Sequence, residues 1–292
     1  MFTEPYVNLK KIFDNEKNAL IYLIENNYIN KYDECRVCSA KTRLYTNIKV
    51  YKCKNYKCRK SYSPLSGTIF SKMKLPLNIQ LHILNYYLLK MPPSSIAATL
   101  NISRNTVTSY NKLFRKYLKD KLKFNRNFKI GGRNKIVEMD ESKIAKRKNN
   151  RGHKVEGAWV IGGVERSILK NKIKNENKRV FFIPIECRNK ANIDQIVKKY
   201  VKKGTMIYTD CWKGYNNIKN IGYKHKTVNH KKHFKDPITG VHTNTIEGTW
   251  SSLKQSIIPR CRTKKDLILY LNDYQWRKKN REYNLWKKFL KD

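Results

Sequence analysis

Acidic side chains are what this sequence has least of: 22 Asp and Glu stand against 64 Lys and Arg, a formal net charge of +42 over 292 residues. That imbalance points to polyanionic partners, nucleic acid first among them, and says little about fold. An AT-rich coding sequence raises Lys, which outnumbers Arg by 48 to 16, but the same bias should load the chain with acids as well. Glycine and proline are also sparse, at 12 and 8 residues, and 40% of the chain is hydrophobic, so collagen-like and wholly disordered classes are excluded. No stretch approaches the ~20 apolar residues that cross a bilayer, so no membrane partner is expected. The opening MFTEPYVNLKKIF lacks the apolar stretch and small-residue cleavage site of a signal peptide. A reducing compartment is therefore expected, in which cysteines serve as metal ligands or buried thiols rather than disulfides.

What is present falls into segments with distinct chemistry. Residues 9–30 place apolar side chains at helical spacing, with Asp14 or Asn15 as N-cap. Residues 31–75 hold four of the seven cysteines in one window, Cys35-x2-Cys38-x14-Cys53-x4-Cys58. Zinc prefers four tetrahedral thiolates, and a close pair on each of two tight turns supplies them. A piece this small cannot fold on apolar burial alone, so Zn²⁺ binding would supply its folding free energy. Cys187, Cys211 and Cys261 are scattered and read as small packing residues.

Residues 76–123 predict a helix-turn-helix. One helix (78–90) stops at Pro92-Pro93, Ser94 or Ser95 caps a short second, Asn101-Ile102 turns, and Ser103 caps a third. Ile96, Ala97, Leu100, Ile102 and Val107 would hold the last two at a steep angle. Arg104, Asn105, Thr108 and Ser109 would then face outward, suited to base or phosphate contact in a major groove of double-stranded DNA. FNRNFKIGGRNK at 124–135 reads as a linker, and 261–292 as a C-terminal basic helix packing Leu267, Leu271, Tyr274 and Trp286 inward.

Over 133–260 the expected order is three strands, a helix, a strand, a short excursion, a strand and a helix, an α+β pattern. Consecutive strands predict an antiparallel meander, and the later alternation predicts parallel additions. Asp140 would sit on the first strand and Asp210 at the end of the fourth, adjacent to the first in a mixed sheet. Glu247 would ride on a helix packed beside them. On that helix Ile246, Trp250, Leu253 and Ile257 form one apolar stripe, with Glu247, Ser251 and Lys254 about 100° away. Three neighbouring carboxylates repel unless cations neutralise them, and oxygen ligands favour Mg²⁺ or Mn²⁺. Two such ions ~3.5–4 Å apart suit phosphodiester chemistry. Glu138 and Glu141 compete for the role of Asp140, and His242 and Asn244 for ligation beside Glu247. The basic runs at 143–154 and 169–179 read as loops beside the same face, and Trp212, Trp250 and Trp276 as core anchors.

VEMDESKIAKRKNNRGHKVEGAWVIGGVERS, TMIYTDCWKGY, HTNTIEGTWSSLK and LYLNDYQWRKKN, taken in order, resemble the blocks of Merlin-type DDE transposases and their bacterial insertion-sequence relatives with an ISXO2-like domain. The resemblance covers about residues 35–285 and includes the ribbon and the connector SPLSGTIFSKMKLPL. It implies a multidomain α+β chain in which the zinc ribbon and helix-turn-helix precede a ribonuclease-H-like mixed-sheet catalytic domain. It implies cut-and-paste DNA transposition with Mg²⁺ or Mn²⁺ held by Asp140, Asp210 and Glu247, and Lys254 as the basic residue after the third acid. Related groups vary the third acid, so the choice of Glu247 rests on its spacing to Lys254. The implied partners are terminal inverted repeats and target DNA, bound by a homodimer on paired ends. The implied compartment is the nucleus of a eukaryotic host, or otherwise the cytoplasm or nucleoid. The competing readings are a non-catalytic DNA-binding regulator derived from such a protein, and a zinc-ribbon adaptor whose C-terminal half only mediates assembly. The presence of all three acids argues against decay.

Overall fold

The computed structural model describes residues 3–123, 128–144, 157–169, 172–174, 179–229, 235–237, 239–257, 261–262 and 264–292. The first half holds α1 (Tyr6–Asp14), α2 (Glu16–Glu25), β1 (Thr42–Tyr45), β2 (Val50–Cys53), β3 (Ser61–Tyr62), α3 (Leu77–Leu88), α4 (Pro93–Leu100) and α5 (Arg104–Lys123). The second half holds β4 (Lys135–Ile144), β5 (Ala158–Leu169), β6 (Lys172–Lys174), β7 (Val180–Ile185), α6 (Lys190–Tyr200), β8 (Met206–Asp210) and β9 (Lys224–Val228). It closes with α7 (Asn244–Ser256), α8 (Lys264–Lys279) and α9 (Leu285–Lys291). Two compact units result, residues 1–117 with 282–292, and residues 118–281. No helix among the described residues is long and apolar enough to cross a membrane.

In the first unit, Asn15 is the N-cap of α2, one of the two expected candidates, and the residues before Asn15 form a separate helix, α1. The extended backbone of Asn15 ends α1, and its side chain accepts from Asn18 N at 2.8 Å to cap α2. β1, β2 and β3 form an antiparallel sheet between the cysteine-bearing turns. The expected Ser94 or Ser95 cap is corrected: α4 starts at Pro93 with Pro92 in the cap position. Proline suits the first helical position, since its missing N–H has no partner there anyway. Asn101 takes the left-handed conformation (φ 49°) that ends α4, and Ser103 Oγ accepts from Asn105 N at 3.2 Å to start α5. Ile96 and Val107 are fully buried at this corner.

The second unit is built on one mixed sheet, in the order β6-β5-β4-β8-β9 with β7 also on β5. β4 runs antiparallel to β5 over ten pairs, from Lys135↔Ser167 to Ile144↔Ala158, and β5 is antiparallel to β7. β8 is parallel to β4, and β9 parallel to β8. This is the expected meander with parallel additions, plus the short β6. Helices cover both faces, so β4 is apolar on both. Val137 and Met139 pack with Ile193 and Val197 of α6, Ile207 and Tyr215. On the opposite face Val160, Val164 and Phe182 meet Ile246, Trp250 and Leu253 of α7, with Leu267, Leu271 and Tyr274 of α8. The apolar stripe predicted on α7 is buried, at 0–4% exposure. Each such side chain contributes about 1.5–3 kcal/mol relative to exposure.

The terminal segment makes two helices rather than one. Asn284 interrupts it, accepting from Trp286 N and Lys287 N to cap α9. Cys187 and Cys211 are exposed, so they are not packing residues, while Cys261 packs partly buried against the α7–α8 core. Of the basic runs expected as loops, 143–154 lies almost wholly outside the described residues, and 169–179 is corrected in part: Lys172–Lys174 is strand β6 on β5, with 170–171 and 175–178 outside the described residues.

Candidate functional site

The thiols are placed by two tight turns. Ser39 and Arg59 adopt positive φ (53° and 51°), and Cys35 N donates to Ala40 O while Cys58 N donates to Asn55 O. All four ligand sulfurs lie within 4.8 Å of one another. Cys35 Sγ is 3.7 Å from Cys58 Sγ, and Cys38 Sγ is 3.4 Å from Cys53 Sγ. A tetrahedron with ~2.3 Å Zn–S bonds has edges of ~3.8 Å, so the donor set fits zinc. The Tyr62 hydroxyl, 3.2 Å from Cys35 Sγ, and then the backbone at Val37, pull that thiol down to about 6. Burial pushes Cys53 up to about 12. A bound cation would overcome that resistance.

In the second unit the parallel pairing Ile136↔Met206, Val137↔Ile207, Glu138↔Tyr208 sets the site. The pairing ends there, and Asp140 and Asp210 lie two residues further along their strands. Their charges interact. Burial, then Glu141, then Asp210, push the Asp140 carboxyl up to about 7, against the opposing pull of its backbone and Trp250 hydrogen bonds. Asp210 Oδ1 accepts from Trp212 N at 3.0 Å, a turn that fixes the end of β8. Across the rim, Trp250 Nε1 on α7 donates to Asp140 Oδ2 at 3.0 Å. Glu247 lies one turn before Trp250, and its Oε1 accepts from the Thr243 hydroxyl at 3.2 Å. Lys254 is half-buried on the same helix. Among the described residues the three carboxylates do not close to within 4.8 Å of one another as the thiols do.

The competing acids are committed elsewhere. Glu138 is fully buried, ion-paired with Arg166 and bonded to the Ile246 N–H. Glu141 takes the Arg188 guanidinium and the Tyr215 hydroxyl. Arg188 is itself layered between Trp159 and Trp212, 4.3 and 4.4 Å from their ring centroids. His242 contacts Arg166 and Glu138, and it also feels the charge of Glu247. Sequence reasoning missed Trp250 as a partner of Asp140, and Arg166 and Arg188 as holders of the two glutamates. The signal available for Trp250 was its position three residues beyond Glu247 on one helix.

On the helical corner, Arg104, Asn105, Thr108 and Ser109 are all exposed. The Thr108 hydroxyl donates to Arg104 O at 2.9 Å, which leaves it to act outward as an acceptor.

Comparison with known proteins adds to this geometry. A family model described as ISXO2-like transposase domain matches residues 130–279. An uncharacterized transposase-like protein of Haemophilus influenzae is 26% identical over 109 residues, 36% of this chain and 84% of that protein. Among solved structures, the Mos1 transposase paired-end complex with left transposon end is 9% identical, over 69% of this chain and 76% of its own, with a TM-score of 0.21. The pre-cleavage Mos1 transpososome is 7% identical, over 72% and 78%, with a TM-score of 0.20.

Proposed function

Since the chain belongs to the ISXO2-like transposase domain family and is a DDE-type transposase, we propose that it cleaves DNA at the ends of its element and joins them to target DNA. The observation that supports this most is the interaction of Asp140 with Asp210, which lie two residues past the last parallel β4–β8 pair, Glu138↔Tyr208, while Trp250 of the Glu247-bearing helix bonds Asp140. The strand order supports a ribonuclease-H-like catalytic domain over about residues 133–260: three antiparallel strands, then two parallel to the first.

Asp140, Asp210 and Glu247 would hold Mg²⁺ or Mn²⁺. Their fit rests on Asp140, a half-buried carboxyl pressed by two neighbouring acids with only neutral donors, a backbone N–H and the Trp250 N–H, to answer them. When bound, such ions activate a nucleophile and stabilise a leaving oxygen. The chain's own groups orient the acids: the Trp250 N–H holds Asp140, the Trp212 N–H holds Asp210, and the Thr243 hydroxyl holds Glu247. Lys254 serves as a phosphate contact. The reaction is hydrolysis of the phosphodiester at the element end, which frees a 3′-hydroxyl, then in-line attack of that hydroxyl on target DNA. The zinc ribbon (31–75) and the helix-turn-helix (76–123) bind the terminal inverted repeats, the latter through Arg104, Asn105, Thr108 and Ser109. A homodimer pairs the two ends.

The test is a cleavage and strand-transfer assay on the inverted repeats that flank the gene, with and without Mg²⁺ or Mn²⁺. Activity is expected with metal and is lost in Asp140→Ala, Asp210→Ala and Glu247→Ala. Undiminished activity in Asp210→Ala would remove its assigned role.

A further inference from the structure

Asp140 and Glu247 sit on different elements, β4 and α7, so something must set the distance between them. One buried ionic cluster links the two elements. Glu138 lies two residues before Asp140 on the same face of β4 and is 0% exposed. Its Oε2 accepts from Ile246 N at 2.9 Å, in the first turn of α7 and immediately before Glu247. The residue in the cap position, Thr243, makes no side-chain cap bond; its hydroxyl goes to Glu247 instead. A strand carboxylate thus does the work of a helix cap, and its negative charge suits the positive end of the helix.

The other oxygen of Glu138 takes the Arg166 guanidinium from β5, itself 3% exposed. Arg166 Nη2 lies 3.0 Å from His242 Nε2, on the approach to α7. Arginine only donates, so His242 Nε2 accepts and its proton sits on Nδ1. That nitrogen faces Glu138 Oε1 at 3.7 Å. The 3.4 Å approach of Asn244 N to Nδ1 is then a contact and not a hydrogen bond. Strand β4, strand β5, the His242 segment and the first turn of α7 meet in one cluster. Because Glu138 and Arg166 cancel, the cluster adds no net charge beside the acids.

We propose that Glu138 and Arg166 are positioning residues: they lock the first turn of α7 to β4 and so hold Glu247 in range of Asp140. This rests on the metal-binding reading of the acids above. Removing one partner alone leaves a buried unpaired charge, which is strongly destabilising, so the informative variant removes both. Glu138→Leu with Arg166→Met replaces a buried pair by apolar groups, a change that folded proteins tolerate.

Two readouts on the full, zinc-loaded chain decide the proposal. The first needs no divalent metal: hydrogen exchange at the Ile246 and Glu247 amides, expected to be slow in the parent and faster in the double variant while the rest of α7 stays protected. The second is Mn²⁺ affinity by calorimetry and electron paramagnetic resonance, expected to fall roughly tenfold to a hundredfold in the double variant. A folded double variant with parental exchange and parental Mn²⁺ affinity overturns the proposal. If the parent binds no Mn²⁺ and Asp140→Asn changes nothing, the metal reading has failed instead. The exchange arm still decides the lock in that case: unchanged protection overturns it and lost protection supports it.

Discussion

Asp140 is the side chain on which the site's pH behaviour turns. Burial, Glu141 and Asp210 raise its carboxyl to about 7, above the ~3.9 of an unfolded chain. The sign follows from linkage. A raised folded value gives stability that is complete below the unfolded value and is lost as pH rises through the folded one. Without added Mg²⁺ or Mn²⁺, Asp140→Asn is therefore expected to match the parent in thermal melts near pH 4. At pH 8 it should be more stable by roughly 2–4 kcal/mol. A variant no more stable at pH 8 would show that the carboxylate is not under electrostatic pressure. The same proton competes with a cation, so Mn²⁺ affinity should rise with pH through about 7. Gly162 is the second telling residue. It lies opposite Asp140 on β5, and a Cβ there would meet Trp250 at 2.7 Å and Phe182 at 2.9 Å. Both rings are buried, so Gly162→Ala should cost about 1–3 kcal/mol in urea unfolding. It should also push the Trp250 N–H away from Asp140.

The cysteine-bearing strands and the helical corner lie in one compact unit but carry different chemistry. The strands β1, β2 and β3 are two to four residues long, too short to stand without help. If the four thiols hold zinc as proposed, Cys53→Ser is expected to lower zinc content toward none and to melt the small sheet. Strong chelators should do the same to the parent, since structural zinc contributes about 10–16 kcal/mol in small domains. Zinc analysis beside circular dichroism checks both. At the corner, Arg104→Ala removes an exposed cation at the start of α5. It should weaken repeat binding and reduce the salt slope by about one if Arg104 meets phosphate; loss of discrimination between sequences would instead mark a base contact.

At the scale of the whole chain, +42 is the dominant physical fact. DNA affinity should fall by ~10³–10⁵ between about 50 and 200 mM salt if 6–10 phosphates are engaged. A salt-insensitive affinity measured by fluorescence anisotropy would argue against a phosphate-led interface. The two units divide the chemistry, with the thiols in one and the acids in the other.

Much of this was legible beforehand because it is local. Cysteine spacing declares a ribbon, the four-three-four spacing on α7 declares its buried face, and the order of strand-like runs declares a meander followed by parallel strands. The Asn15 cap was legible, but boundaries were less so where one residue overrides periodicity, as Pro93 and Asn284 do. The charge balance, the cysteine cluster and the strand order were determined by the sequence alone, since each depends on residues close along the chain or on simple counts. Which carboxylate stands available was decided only by the tertiary structure. Glu138, Asp140 and Glu141 are near-neighbours of one chemical type, and nothing local separates them. Their fates depend on Arg166, Arg188 and Tyr215, which arrive from β5, the turn after β7 and the turn after β8. An ion pair forms with whatever cation the fold brings within reach, and that choice is made across the sheet rather than along the chain.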